Sequence, residues 1–594
     1  MKSAETKERR FSFVGGAVRL IALVGLFLAT LAQFFPRTRN LNDFLLYGVD
    51  ETEEEGPAAI CAIVKDDEAY IDEWVDYHHA LGFSHFYVYD NSKEHFMKQW
   101  GEEKGDHVTL LHFPDSIKQM FDDCARRCAY DNRYQWVAFF EVNEFLFLRN
   151  GYNLMTLLRK FSQRGAISVT IGLFGSSGRR VYSPQPVTKR FLYREEFMDD
   201  QVKSIIKVSD LTLHLPRLRR KSRNSMGLRE LPSSNPHLSS DIAVLHHYLR
   251  SKKEYKSKVG KFLYLDETKN RDDFHEYELV NGTIFDDSGW KTLTSLLPKY
   301  KLYDANQTTW PSPRFPSTRT NETAAVCVLV KYEEAYIDEW IDYHYALGFS
   351  HFYIYDNSHE FEMEQWASEK GPHVTMTHYV GNGIQREAYQ HCLTNHVIKD
   401  RHSWVAFFDA DEMIILKKHN NIVDLLFEHC ERGVLSINWV VFGPGKREVY
   451  QPLPFTKRFQ YRPEDVSVHL KSIGRVQDLS LRKPPHAHYP YLKRRRGDVV
   501  QHDAENHSIK PQEYYNSYRP SNVTVVHHYN SKSYKEYIAK RMRGRGAETT
   551  QVDDLIRAAR DRVVNDCPLY SNEGWEATKK FLPYYESFDA MLAS

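Results

Sequence analysis

Cysteine is scarce in this chain, seven among 594 residues, and the number is odd. A scaffold built on disulfides is thereby excluded, at least one thiol has no partner within the chain, and the core is expected to stand without staples. A charge excess is also missing, since 79 Lys and Arg balance 79 Asp and Glu. A dedicated nucleic-acid binder carries a basic surplus, so no nucleic-acid partner is expected. Aromatic residues, by contrast, are plentiful. With 37 Tyr and 34 Phe in a composition that is 42% hydrophobic, the chain has ample material for folded cores. Its length suggests roughly two to four domains.

Lys7-Glu8-Arg9-Arg10 precedes an apolar stretch in which Val14 to Gln33 carries Arg19 as its only charge. Such a stretch is long enough at helical rise to span the ~30 Å hydrocarbon core. Basic residues before it and the acidic run Asp50 to Glu55 beyond it place the N-terminus on the cytosolic side. The expectation is a tail at 1–10, a single-pass type II signal anchor at 11–35 and a stem at 36–57. The alternative is a signal peptide cleaved after the small residues Thr30 and Ala32. Either way the bulk of the chain enters the secretory pathway, and the glycosylation sequons at Asn281, Asn306, Asn321 and Asn522 agree.

The remainder is organised by an internal repeat. Cys61 to Glu94 returns as Cys327 to Glu360 with 26 of 34 positions identical. The match continues from Trp136–Phe140 to Trp404–Phe408, from Thr188–Phe191 to Thr456–Phe459, and from His246-His-Tyr248 to His527-His-Tyr529. The period is far too long for a solenoid, so two whole domains are expected, at 58–300 and 324–594. The stretch 301–323, rich in Pro, Ser, Thr and Asn, reads as a linker. Within each copy, short apolar runs such as Ala59–Val64 and Phe86–Tyr89 alternate with residues at helical spacing such as Ile71, Trp74, Val75 and His78. That alternation predicts an α/β fold with a mostly parallel sheet, whose ligands gather at the carboxyl ends of the strands. In the second copy two acidic motifs follow predicted strands, Tyr355-Asp356-Asn357 and Asp409-Ala-Asp411-Glu412. A parallel sheet brings both to one edge.

Asp409-Ala-Asp411 is the only Asp-x-Asp in the chain. Residues i and i+2 leaving a strand point the same way, so both carboxylates can reach one site. Hard divalent cations take carboxylates together with substrate phosphates, so a metal-bound diphosphate leaving group is the natural ligand. Taken alone, acids after a strand also serve as turn formers and caps. The apolar strand ahead of the motif and Asp356 one strand over favour the metal reading.

Four segments then resemble glycosyltransferase family 92 and its GT-A relatives, in order. They are VKYEEAYIDEWIDYHYALGFSHFYIYDNS from Val330, WVAFFDADEMIIL from Trp404, INWVVFGPG from Ile437 and HHYNSKSYKEYIAKRMRG from His527. The resemblance spans most of 324–546 and, more loosely, 58–262. It implies two tandem GT-A-like domains and a UDP-sugar donor such as UDP-galactose, transferred with inversion to a glycan or glycoprotein acceptor. It also implies Mn²⁺ (or Mg²⁺) and Golgi anchoring. By the same resemblance Asp409, Asp411 and His528 are the metal residues. Lys331, Glu334, Asp356, Asn357 and Gln385 fall to donor binding. The base that takes the acceptor proton is not identified by sequence; Asp465 is the candidate carried forward.

The first copy departs where chemistry belongs. It reads Glu141-Val-Asn143-Glu144 at the metal motif and Ile117-Lys-Gln-Met-Phe121 where the second has Gln385-Arg-Glu-Ala-Tyr389. Losing a charge beside a divalent ion costs on the order of several kcal/mol. A fold kept and a site lost is the expectation, with a metal held by Glu141 and Glu144 as the counter-reading. His486-x-His488 and His527-His528 lack finger spacing and are not read as zinc sites. Adjacent histidines on an extended segment face opposite ways, so at most one of His527 and His528 enters a site. Cys124 and Cys128 read as buried thiols, the basic loops Arg217–Lys221 and Lys493–Arg496 as solvated, and Tyr336 and Trp340 as core. Two functions compete: an anchored glycosyltransferase with a catalytic second domain, and a non-catalytic glycan-binding or scaffold protein.

Overall fold

The computed structural model describes residues 58–92, 95–114, 117–131, 133–211, 240–255, 282–304, 313–319, 321–493, 500–542 and 567–591. The expected tail, anchor and stem, the sequons at Asn281 and Asn306, the middle of the linker and the basic segments 217–221 and 494–496 lie outside them. Among the described residues, no helix is long and apolar enough to cross a membrane.

The second copy is built on four parallel strands in the spatial order Val374–His378, His351–Asp356, Ala324–Val330, Trp404–Phe407. Leu470–Arg475 then runs antiparallel between Trp404–Phe407 and Val434–Val441. A short ribbon, Glu412–Leu416 against Thr524–His528, joins the far half of Val434–Val441. The sheet is thus mixed, with its parallel part at the N-terminal end as the strand–helix alternation predicts. Its apolar strands are buried on both faces, and the helix Ile337–Ala346 covers one of them with Ile337, Trp340 and Ile341. Trp340 is fully buried and its indole N–H donates to the Glu412 carbonyl at 2.7 Å, which ties that helix to the ribbon. The expectation that Tyr336 and Trp340 belong to the core holds. The first copy repeats the plan, Val108–His112, Phe83–Asp90, Ala58–Val64, Trp136–Phe139, Asp199–Lys207, Ala166–Phe174, down to the Trp74 bond to the Glu144 carbonyl at 2.8 Å.

The cysteine reading needs correcting. Cys124 is bonded to Cys61, 63 residues away, and Cys327 to Cys392 at the matching place in the second copy. Each joins a first strand to the helix crossing the sheet. In the chain-entropy account a loop of that length is worth about 4 kcal/mol, so each core does carry a staple. Cys128 and Cys430 are buried free thiols.

Residues 56–594 form one compact unit, and the copies pack through a pseudo-two-fold face. Tyr182 meets its own counterpart Tyr450, hydroxyl to hydroxyl at 3.2 Å. Each tyrosine lies against a buried arginine, Arg190 or Arg458, paired with Glu254 at 3.0 Å or Glu536 at 2.9 Å. Lys253 of the first copy pairs with Glu334 of the second, and the equivalent Lys535 pairs with Glu68 at 2.6 Å.

Candidate functional site

Asp356 ends one parallel strand and Asp409 follows another, with Ala324–Val330 between them, so both acids emerge on the same edge as expected. The local geometry of the Asp-x-Asp differs from the extended one anticipated. The Glu412 N–H donates to the Asp409 carbonyl at 3.0 Å, closing a tight turn, and the Glu412 carboxylate accepts the Asp409 N–H at 2.9 Å. The turn sends the two aspartates to different cations. Asp409 accepts from Lys471 at 3.0 Å and from Gln385, the first residue of its helix, at 2.9 Å. Asp411 pairs with Lys540 and has His528 Nε2 at 3.6 Å.

Burial alone would raise both carboxyls. Lys471 outweighs it at Asp409, and Lys540 with His528 holds Asp411 well below its ordinary value. Both are therefore held ionised, as a cation site requires. Lys471 is itself fully buried and touches Glu412 at 3.1 Å, and those two carboxylates keep its ammonium protonated.

His528 lies opposite Glu412 in the ribbon and packs at a tilt against Trp439, ring centroids 4.4 Å apart. Its neighbour His527 turns away to Glu573 at 3.2 Å, so one histidine of the pair enters the site. Asp356 is fully buried; one of its oxygens accepts the Ser358 N–H at 2.9 Å, and the other has no hydrogen-bond partner among the described residues. Burial raises its carboxyl despite that bond. Asn357 accepts the Gly381 N–H at 2.8 Å and Lys331 is half-buried in the loop ahead of Glu334. Glu334 is directed to the Lys253 ion pair between the copies. Asp465 is not brought to this group: its carboxylate is 87% exposed and lies 3.4 Å from Arg519.

A divalent ion can be tested against these residues. Asp411 and His528 present an oxygen and a nitrogen at the separation one ion spans, and the other ring nitrogen of His528 is buried without a partner among the described residues. Asp409, Asp411 and His528 do not converge in one coordination sphere; Asp409 is drawn toward Lys471. Among the described residues His486 and His488 belong to no three-ligand cluster; His488 bonds the Leu470 carbonyl at 2.8 Å.

The first copy shows what the substitutions do. Lys203 sits between Glu141 at 3.2 Å and Glu144 at 3.0 Å, as Lys471 does between its acids. Asn143, in the place of Asp411, directs its amide to the Tyr248 carbonyl and to His247 Nε2, the counterpart of His528, both at 3.1 Å, and so closes onto the backbone and that ring. Lys471 and Lys540 were missed by sequence reading. The repeat carried a signal for the first, since Lys203-Ser-Ile and Lys471-Ser-Ile occupy matching strands.

The chain matches the model of glycosyltransferase family 92 over residues 59–279 and 322–451, well over half its length and parts of both copies. A glycosyltransferase family 92 protein of Ricinus communis is 27% identical over 32% of this chain and 34% of its own. One of Arabidopsis thaliana is 30% identical over 34% of this chain and 38% of its own. The chain thus aligns with about a third of the length of these curated relatives. Among solved structures, glucosyl-3-phosphoglycerate synthase from Mycobacterium tuberculosis is 18% identical over 29% of this chain and 65% of that one, with a TM-score of 0.18. HddC from Yersinia pseudotuberculosis is 8% identical over 35% of this chain and 99% of that one, at 0.20. By the family match, this chain belongs to glycosyltransferase family 92.

Proposed function

We propose that the second copy is an inverting GT-A-type glycosyltransferase. It transfers a sugar, galactose from UDP-galactose, to a glycan or glycoprotein acceptor. The observation that carries this reading is the pair of ionised aspartates at the carboxyl edge of the parallel strands, beside the half-partnered Asp356. Mn²⁺ is the ion that suits them. Asp411 and His528 would hold it with Asp409 alongside, and when bound it neutralises a departing diphosphate. The chain's own residues do the rest. Lys471 fixes Asp409, Lys540 adds positive charge where phosphate oxygens would gather, and the free oxygen of Asp356 is an acceptor for a hydroxyl or amide of the nucleoside. The acceptor enters along the aromatic side of the site. There Trp439 stacks on His469 at 5.4 Å, and Tyr515 and Tyr514 extend the wall to solvent. Apolar ring faces of this kind stack against sugar rings.

The first copy is read as a non-catalytic partner, because Asn143 has closed into its backbone hydrogen bond. Two disulfides and the exposed sequon residues Asn321 and Asn522 support an oxidising, glycosylating compartment, and the Golgi lumen with the anchor at 11–35 is our assignment. The test is nucleotide diphosphate release from a panel of nucleotide sugars with Mn²⁺ and glycan acceptors, beside an Asp411→Ala variant. Release from one donor that vanishes in the variant supports the reading. Release that persists moves the activity to the Glu141–Glu144 site. Glycan binding without any binding of UDP and Mn²⁺ favours the scaffold alternative.

A further inference from the structure

At the opposite end of the ribbon strand Glu412–Leu416 from the aspartates, a second group of ligating side chains converges. His419 lies in the loop that follows the strand, and His429 ends the helix Ile422–His429 with Glu428 beside it. The carboxylate of Glu428 reaches both rings, one oxygen 2.9 Å from His419 Nε2 and the other 3.3 Å from His429 Nε2. All three ligand atoms lie within 4.8 Å of one another. From this geometry we infer a site for a borderline divalent cation, zinc above all, held by His419, His429 and Glu428.

Two observations favour a cation over a plain hydrogen-bonded cluster. Nitrogen and oxygen ligands bound to one zinc at about 2.1 Å stand roughly 3.4 Å apart in tetrahedral geometry, near the two N···O separations of 2.9 and 3.3 Å here. The side chain of Glu428 is 65% exposed, where bridging two imidazoles brings little stability, yet both rings are largely covered and aim the same nitrogen at it.

The repeat supplies an internal control. At the matching positions the first copy has Gly151, Lys160 and Phe161, so the fold does not need these ligands, and the second copy holds all three. Imidazole nitrogens with one carboxylate select zinc over manganese or calcium, which separates this site from the aspartate pair. Lys418 and His502 stand near and oppose a cation, so affinity is moderate and the exposed side keeps a position open for water.

The experiment is a Co²⁺ titration of the full chain in detergent, read by visible absorption. The variants are His429→Phe, Glu428→Gln and Asp411→Asn. The expected result is one equivalent of tetrahedral cobalt bands, displaced by Zn²⁺, kept in Asp411→Asn and lost in His429→Phe. Phe161 occupies the matching place in the first copy, so that variant is expected to fold. Glu428→Gln changes an exposed side chain and should weaken Zn²⁺ binding at least tenfold. Absence of the bands in the wild type, their survival in His429→Phe, or unchanged zinc affinity in Glu428→Gln would each overturn the inference.

Discussion

Glu339 offers a test in which two opposing effects predict opposite signs. It sits in the first turn of the helix Ile337–Ala346, and its carboxylate accepts the Phe455 N–H at 2.5 Å, the Thr456 N–H at 3.3 Å and the Thr456 hydroxyl. Burial raises its carboxyl, the three hydrogen bonds and Arg458 lower it, and burial wins, pushing it from 4.5 to about 7. The folded protein therefore holds this proton more tightly than the unfolded chain. Stability from this group is fully present below about pH 4.5 and is lost as pH rises to about 7. At 1.36 kcal/mol per pKa unit the loss is about 3 kcal/mol, or roughly 3–5 °C in Tm for a unit of this size. Glu339→Gln is neutral at every pH and lacks this dependence. Its amide sets one N–H against the donors, at a cost of about 1–3 kcal/mol. The measurement is the Tm difference between wild type and Glu339→Gln by scanning calorimetry at pH 5 and pH 8. The wild-type advantage should shrink as pH rises. An advantage that grows with pH would mean the hydrogen bonds outweigh burial, and the reasoning would fail. Glu73, held the same way by Val187 and Thr188 and likewise raised, should behave alike.

Other outcomes are expected from the site and the staples. Asp411→Asn, which installs the residue of the first copy, should reduce donor turnover more than 100-fold in nucleotide-release assays and leave Tm within about 2 °C, since its amide can bond the Tyr529 carbonyl as Asn143 bonds Tyr248. Lys471→Met leaves the buried Glu412 carboxylate, and the partly exposed Asp409 beside it, without their cation and should cost about 3 kcal/mol in denaturant unfolding. Trp439→Ile, copying Ile171, should raise KM for the acceptor about tenfold, with KM for the donor unchanged in two-substrate kinetics. A double Cys327→Ser, Cys392→Ser chain should lose about 4 kcal/mol of stability, and under reductant, which also opens Cys61–Cys124, wild type and variant should share one unfolding midpoint.

Much of the fold was legible because local pattern and global arrangement agree. The strand–helix alternation gave the parallel part of each sheet, and placing Asp356 and Asp409 after adjoining strands was enough to put them on one edge. What failed to show depends on contacts far apart in sequence. Cys124 was weighed against Cys128, four residues along its helix, while its true partner lay 63 residues back on a strand. The repeat marks Lys471 through its counterpart Lys203, but its place between Asp409 and Glu412 shows only once the antiparallel strand is inserted. The Asp-x-Asp was found for an incomplete reason, because the turn, and not an extended backbone, aims its carboxylates. Glu334 faces the other copy, which no periodicity within one copy reveals. His419 and His429 flank a capped helix, so their meeting follows from the turn of chain between them.

The tyrosine pair at the pseudo-two-fold bears on how the protein can be divided. A face on which a residue meets its own counterpart has the geometry of a homodimer, yet here both protomers are one polypeptide. Fusion replaces a bimolecular encounter with a tethered one, at an effective concentration that no cellular dilution can reach. The first copy is thereby a permanent subunit. It keeps the second copy's Tyr450, Arg458 and Glu334 covered, and excising it would lay open an ionic and aromatic face that is largely buried in the intact chain.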